Sequence, residues 1–237
     1  QKGDKVSLCS KNQANWGVVF LATITYGAVA VPILHEVKPG SIHHIVNHSD
    51  SKILFVGDII WEQLNEAEMP SIHAAIQVSD FSILFSRNPL IDETRERLNE
   101  YFGKKYPRNF REYHLAFYED SPDELAIINY TSGTTGFSKG VMLPFRSLWS
   151  NVMFAREVHP QLNNTSNVVS MLPTAHMYGM MFEFLFEMCI GAHVHFLTRV
   201  PSPKIIMEAF AEIKPDIIIA VPLIIEKIYK KKLQPII

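Results

Sequence analysis

The sequence predicts an α/β fold organised around a largely parallel sheet, and three observations carry that prediction. Apolar runs of strand length alternate with stretches of helical length. Glycine and proline stand at many of the joins. The alternation recurs on both sides of a polar break at His159 to Asn167. Strands and helices alternating at this spacing pack as a parallel sheet with helices on its faces.

The elements follow in order. Lys5 to Ser10 reads as a short strand, and Asn12 or Asn15 is placed to cap the apolar helix that runs through Tyr26. Gly27 precedes a strand at Ala28 to Ile33; Pro39 to Ser49 suits a short helix, and Lys52 to Val56 is a buried strand ended by Gly57. Between Met69 and Tyr118 the pattern weakens to a strand at Ile83 to Phe85 and a helix at Ile91 to Phe102. Leu125 to Tyr130 is a strand, followed by a Gly/Ser/Thr loop, by Val141 to Leu143, and by a helix from Pro144 or Phe145 to about Glu157. Beyond the polar break come strands at Val168 to Leu172, His193 to Leu197 and Asp216 to Ala220, and helices at Tyr178 to Ile190, Lys204 to Lys214 and Leu223 to Lys232. The organisation expected is a first α/β subdomain over 1–157, a linker over 158–166, and the start of a second subdomain over 167–237.

Composition narrows the function classes. The chain has 237 residues, near half of them apolar, and a formal net charge of −2, which is no electrostatic footprint for nucleic acid. The basic run Lys230 to Lys232 reads as the solvated face of a terminal helix. Cys9 and Cys189 show no metal-ligand spacing; a reduced, cytoplasmic compartment is the simplest account, with a disulfide between them left open. The apolar stretch from Tyr178 to Leu197 contains Glu183, Glu187 and two histidines, which a bilayer-spanning helix rarely tolerates. Gln1 at the start and an unfinished helix before Ile237 lead us to expect a longer parent protein.

The chemistry concentrates between Thr131 and Gly140, where Gly133, Gly136 and Gly140 are interleaved with hydroxyl residues and Lys139. Glycines let backbone N–H groups approach an anion with no Cβ in the way. Hydroxyls add donors for phosphate oxygens and an oxygen for Mg²⁺, and Lys139 supplies a movable positive charge. This is not the common P-loop, because two residues separate Gly133 from Gly136 and Lys139 is followed by Gly140. The loop also leads into an extended segment rather than straight into a helix. A generic kinase or GTPase is therefore disfavoured, and few unliganded flexible loops combine this order with a buried strand before it and Lys-Gly-Val-Met at its end.

Tyr130-Thr131-Ser132-Gly133-Thr134-Thr135-Gly136-Phe137-Ser138-Lys139-Gly140-Val141-Met142-Leu143 resembles the signature of the adenylate-forming enzymes. Leu172-Pro173-Thr174-Ala175-His176-Met177-Tyr178 resembles a motif of long-chain fatty-acid–CoA ligases. Gly3 to Val6, Lys11-Asn12, Trp16 and Gly27 to Ile33 resemble the family's opening region, and Pro215 to Tyr229 fits the same ligases. The resemblance implies two stacked αβ subdomains of the N-terminal domain, the second truncated. It implies ATP-dependent activation of a fatty acid to an acyl-adenylate, then thioester formation with coenzyme A. Thr131, Ser132, Gly133, Thr134, Thr135 and Gly136 would hold the β- and γ-phosphates with help from Lys139, and Thr131 would ligate Mg²⁺. His176 would sit by the acyl pocket and the reacting carboxylate, although a lone histidine in an apolar stretch is more often a packing residue. Met177, Met180 and Met181 line an acyl channel or simply fill the core, and His43, His44 and His48 fit a surface helix better than a metal site.

Ser138 stands where the family often has proline, and Pro144-Phe145 replaces a frequent Thr-His pair. Neither change removes a phosphate donor. A Tyr-Gly-x-Thr-Glu segment, a ribose-binding aspartate motif and a C-terminal domain with the catalytic lysine are not found, so the chain alone is expected to be inactive. The alternatives are adenylation of an aryl or amino acid, or a non-catalytic nucleotide-binding protein of the same fold. A cytoplasmic protein with peripheral membrane contact is compatible with greasy substrates, and the sequence does not choose between monomer and oligomer.

Overall fold

The computed structural model describes residues 1–116, 118–119, 121–131, 138–198, 202–222, 226 and 229–230. The chain forms two compact units, one of residues 1–10 and 15–146, the other of residues 11–14 and 147–237. Its fold is mixed α/β.

The first unit is built on a seven-stranded sheet. Its strands are β1 (Lys5–Cys9), β2 (Val29–Pro32), β3 (Ser51–Val56), β4 (Ala74–Gln77), β5 (Ile83–Ser86), β6 (Leu125–Thr131) and β7 (Lys139–Pro144). They lie in the order β5-β4-β3-β1-β2-β6-β7. The inner pairings are parallel, whereas β5 and β7 run antiparallel to their neighbours at the two edges. Every residue of β2 is buried, as suits an inner strand covered on both faces. Helix α1 (Ala14–Tyr26) buries Trp16 and Phe20, whose rings stack at 5.4 Å. Helix α2 (Pro39–His48) opens on a proline at its first turn, where no N–H is missed. Its Ile42, Ile45 and Val46, at helical spacing, pack with Val31, Leu54, Val56 and Ile128 into the core. Each fully buried aliphatic side chain there contributes about 1.5–3 kcal/mol.

Two elements here were not anticipated, the short helix α3 (Asp58–Trp61) and strand β4. The single helix expected over Ile91 to Phe102 is two, α4 (Pro89–Glu96) and α5 (Leu98–Lys105). They break at Arg97, whose φ of −103° and ψ of 19° leave the helical region. Its guanidinium then bonds Glu93 on one side and Glu100 on the other.

The second unit carries α6 (Phe145–Val158), β8 (Asn167–Ser170) and, parallel to it, β9 (His193–Phe196). The crossover between them is α7 (Met177–Met180), a π-helical turn (Met181–Leu185) and α8 (Phe186–Ile190), where the sequence predicted one uninterrupted helix. Helix α9 (Pro203–Ile213) follows, capped by the Ser202 hydroxyl, which accepts from the N–H of Ile205 at 3.3 Å. The strand expected at Asp216 to Ala220 is reduced to one bridge between Ile217 and Val168. Most of the helix expected at Leu223 to Lys232 lies outside the described residues. Cys9 and Cys189 are both free thiols. No helix among the described residues is long and apolar enough to cross a membrane.

Candidate functional site

Two of the residues singled out from sequence face each other. In the β6–β7 hairpin, Thr131 is the register partner of Lys139, and Tyr130 that of Gly140. Directly opposed residues in an antiparallel pair project from the same face of the sheet, so the Thr131 and Lys139 side chains leave the hairpin's end on the same face. Both are exposed, and no ion pair to Lys139 is present among the described residues. Ser132, Gly133, Thr134, Thr135, Gly136 and Phe137, which the two bracket, lie outside the described residues.

The hairpin stem is tightly built. An added Cβ at Gly140 would come within 2.9 Å of Ile128 Cγ2 and 3.2 Å of Tyr130 Cζ. Tyr130 is itself anchored: its hydroxyl lies 2.6 Å from Nδ1 of His48, the last residue of α2, and the two rings meet edge to face. Partial burial pushes the Tyr130 phenol above its ordinary pKa, which keeps it protonated. Sequence reasoning placed His48 on a surface helix and missed this contact. Its spacing to Tyr130, 82 residues, offers no local signal. His43 is likewise committed, with Nδ1 2.8 Å from a Glu68 carboxylate oxygen and Nε2 accepting from the N–H of Asn65 at 3.1 Å.

His176 belongs to the second unit and sits on the turn between β8 and α7. Its own N–H donates to the Pro173 carbonyl at 2.9 Å, and its carbonyl accepts from Met180 at 2.9 Å. The ring's Nδ1 accepts from the N–H of Tyr178 at 3.3 Å. A ring nitrogen that accepts carries no proton, so the neutral imidazole bears its proton on Nε2. The exposed ring therefore offers its Nε2–H as a hydrogen-bond donor. The turn that carries it is fixed by buried polar groups. Asn12 Nδ2 donates to the Leu172 carbonyl at 2.6 Å, and Asn12 Oδ1 accepts from both the N–H and the hydroxyl of Thr174 at 2.9 Å. Asn12 is one of the two candidates, with Asn15, for the cap of the following helix; its side chain instead serves a segment 160 residues away. Glu183 Oε2 accepts from the Leu172 N–H at 2.8 Å. Gly179 passes so close that an added Cβ would meet the Pro173 carbonyl oxygen at 2.8 Å.

Glu183 and Glu187 are both fully buried, and burial pushes the Glu183 carboxyl up to about 8 and that of Glu187 up to about 7. Met180 and Met181 are buried in this unit's core, while Met177 is partly exposed. A separate apolar groove of about 580 Å³ in the first unit is lined by Val18, Ala22, Phe55, Ile83 and Leu98 among others, and neither Thr131 nor Lys139 reaches it.

A family model described as AMP-binding enzyme matches residues 1–235. The chain is 26% identical to long chain acyl-CoA synthetase 3 of Arabidopsis thaliana, over 96% of this chain and 34% of that protein. It is 27% identical to long-chain-fatty-acid–CoA ligase 6 of Mus musculus, over 95% of this chain and 33% of that protein. It thus spans about a third of the length of these curated relatives. Among solved structures, the N-terminal domain of FACL13 from Mycobacterium tuberculosis superposes with a TM-score of 0.73 at 22% identity, covering 98% of this chain and 53% of that one.

Proposed function

From the premise that the chain belongs to the AMP-binding enzyme family, we propose that its protein activates a long-chain fatty acid with ATP and passes the acyl group to coenzyme A. A carboxylate oxygen attacks the α-phosphorus of ATP, the α–β phosphoanhydride bond breaks, and pyrophosphate leaves. The thiolate of coenzyme A then attacks the acyl carbonyl of the adenylate, and AMP leaves with the electron pair of the broken C–O bond.

The observation that carries this reading is the opposition of Thr131 and Lys139 across the hairpin. A hydroxyl and an ammonium on one face, at the two ends of a glycine-rich segment, suit the β- and γ-phosphates of a leaving pyrophosphate. Charge-assisted bonds of this kind contribute about 1.5–3 kcal/mol each. Ser132, Gly133, Thr134, Thr135 and Gly136 complete the phosphate cradle in this proposal. Mg²⁺ takes few protein ligands alongside phosphate oxygens and water, so the single exposed Thr131 hydroxyl fits as one of them. His176, with its proton on Nε2, would donate to an oxygen of the acid. The long-chain assignment is supported by the names of the relatives and by the Leu172 to Tyr178 segment.

The test is acid-dependent ATP–pyrophosphate exchange by the product of the complete gene across short, medium, long-chain and aromatic acids. Exchange with long-chain acids is the expected result. Exchange confined to aromatic or short acids would overturn the substrate class. Its absence with every acid, from a folded protein that binds ATP, would overturn the enzymatic reading.

A further inference from the structure

Leu172 stands at the start of the turn that carries His176, and both of its backbone polar groups are held by side chains, one 160 residues upstream and one 11 residues downstream. Its carbonyl accepts from Asn12 Nδ2 at 2.6 Å, and its N–H donates to Glu183 Oε2 at 2.8 Å. Two residues further on, Asn12 Oδ1 accepts twice more, from the N–H and the hydroxyl of Thr174. These groups are buried: Asn12 is 8% exposed, and Thr174 and Glu183 are fully covered. Buried polar side chains are costly to place unless they are bonded. Here the four bonds fall on Leu172 and Thr174, just ahead of the exposed His176.

The arrangement goes beyond what packing requires. An apolar residue in place of Asn12 would fill the space but leave the Leu172 carbonyl and the Thr174 N–H without partners. The π-helical turn at Met181–Leu185 contains Glu183, and such wide turns inside helices re-aim side chains and recur at functional positions. Gly179 closes the other side, its Cα against the Pro173 carbonyl. Leu172 to Thr174 are thus held from upstream by Asn12, from downstream by Glu183, and from the side by Gly179. His176 is left with its backbone tied to Pro173 and Met180 and its ring tied to Tyr178.

We propose that Asn12 and Glu183 are positioning residues for the acid substrate, clamping the Leu172–Thr174 backbone so that the Nε2–H of His176 is presented at a fixed place. The inference rests on the proposed role of His176 in the acid site. Misplacement of a positioning group by a fraction of a bond length is enough to lose much of a reaction's rate or its substrate affinity. Neither clamp residue reaches the substrate; both act through the turn.

The experiment uses the complete gene product and two readouts, hydrogen exchange by mass spectrometry and steady-state kinetics of ATP–pyrophosphate exchange. Asn12→Ala and Glu183→Ala are expected to speed amide exchange over 171–180 while leaving β1 to β3 unchanged. They are expected to raise KM for the acid about tenfold, with KM for ATP within about twofold. Glu183→Gln keeps a carbonyl oxygen for the Leu172 N–H and is expected to restore the wild-type KM. Should Asn12→Ala fail to fold, Thr174→Val removes one bond at constant volume and should show the same pattern at smaller size. Unchanged exchange over 171–180 overturns the clamp. Loosened exchange with an unmoved KM for the acid, or equal rises in both KM values, reduces these residues to scaffold and overturns the positioning role. A wild type that activates no acid refutes the function proposed above; the exchange data then decide the clamp alone, loosening confined to 171–180 supporting it and unchanged protection overturning it.

Discussion

Lys139 and Gly140 are neighbours with opposite demands. Lys139 is exposed and its ammonium carries no ion pair among the described residues, so removing it should leave folding alone. Lys139→Ala is expected to slow ATP–pyrophosphate exchange by about 10- to 100-fold, the equivalent of one charge-assisted bond to a phosphate, with an unchanged unfolding midpoint. Wild-type exchange would remove it from the proposed phosphate site. Gly140 has the reverse profile. A methyl group there meets Ile128 at 2.9 Å and a Tyr130 ring held by His48, so neither neighbour can yield cheaply. Gly140→Ala is expected to destabilise the protein by about 1–3 kcal/mol, as overpacking does. Chemical denaturation checks this, and a wild-type midpoint would show that the stem can relax. Both residues were legible in the sequence as members of a loop motif. Only the strand register separates the one that is free to act from the one that must be small.

At the scale of elements, the crossover from α7 to α8 carries the pH behaviour of the second unit. Glu183 and Glu187 lie four positions apart, and both are buried. Neither Glu187 oxygen has a hydrogen-bond partner among the described residues. Burial raises both carboxyls, to about 8 and about 7, so the folded state binds these protons more tightly than the unfolded chain. Stability is then full below the unfolded carboxylate value near 4.3. It falls as pH rises through that value and reaches its floor once the folded groups ionise near 8. Glu183→Gln and Glu187→Gln together should flatten the profile, raising Tm at about pH 8.5 by on the order of 5 °C while changing it little at about pH 4. Equal pH dependence in wild type and double variant would contradict the assignment. The sequence showed this segment as helix from its apolar content, because a π-helical turn keeps helical composition. It also showed Glu183 and Glu187 only as reasons against a membrane span, since what buries them comes from elsewhere. Strand β4 was missed for a related reason: Ala-Ala-Ile-Gln has little β-propensity, and its place between β3 and β5 is set by the neighbouring strands. The strand expected over Asp216 to Ala220 has the right residues but pairs only at Ile217.

For the molecule as a whole, the parallel sheet and its core were readable because buried inner strands leave continuous apolar runs such as Val29 to Val31 and Ile53 to Val56. The long-range polar contacts were not, since Asn12 to Leu172 and His48 to Tyr130 each join segments that share no local pattern. The same distinction sets an expectation for what this chain does by itself. Its folding information is local and apolar, and the first unit has a sheet and core of its own. Its chemical groups are sparser. In the proposed site Thr131 offers one neutral oxygen to a metal. The curated relatives are about three times as long. The 237-residue chain is therefore expected to fold with α/β circular dichroism yet give no acid-dependent ATP–pyrophosphate exchange at Mg²⁺ concentrations that saturate the complete gene product. Assaying the two side by side at matched concentration decides the matter. Silence from a folded chain would place an essential group of the activation step in the remainder of the protein. Exchange by the chain alone would mean that Thr131, Lys139, His176 and their neighbours suffice, and the proposed division of labour would have to be abandoned.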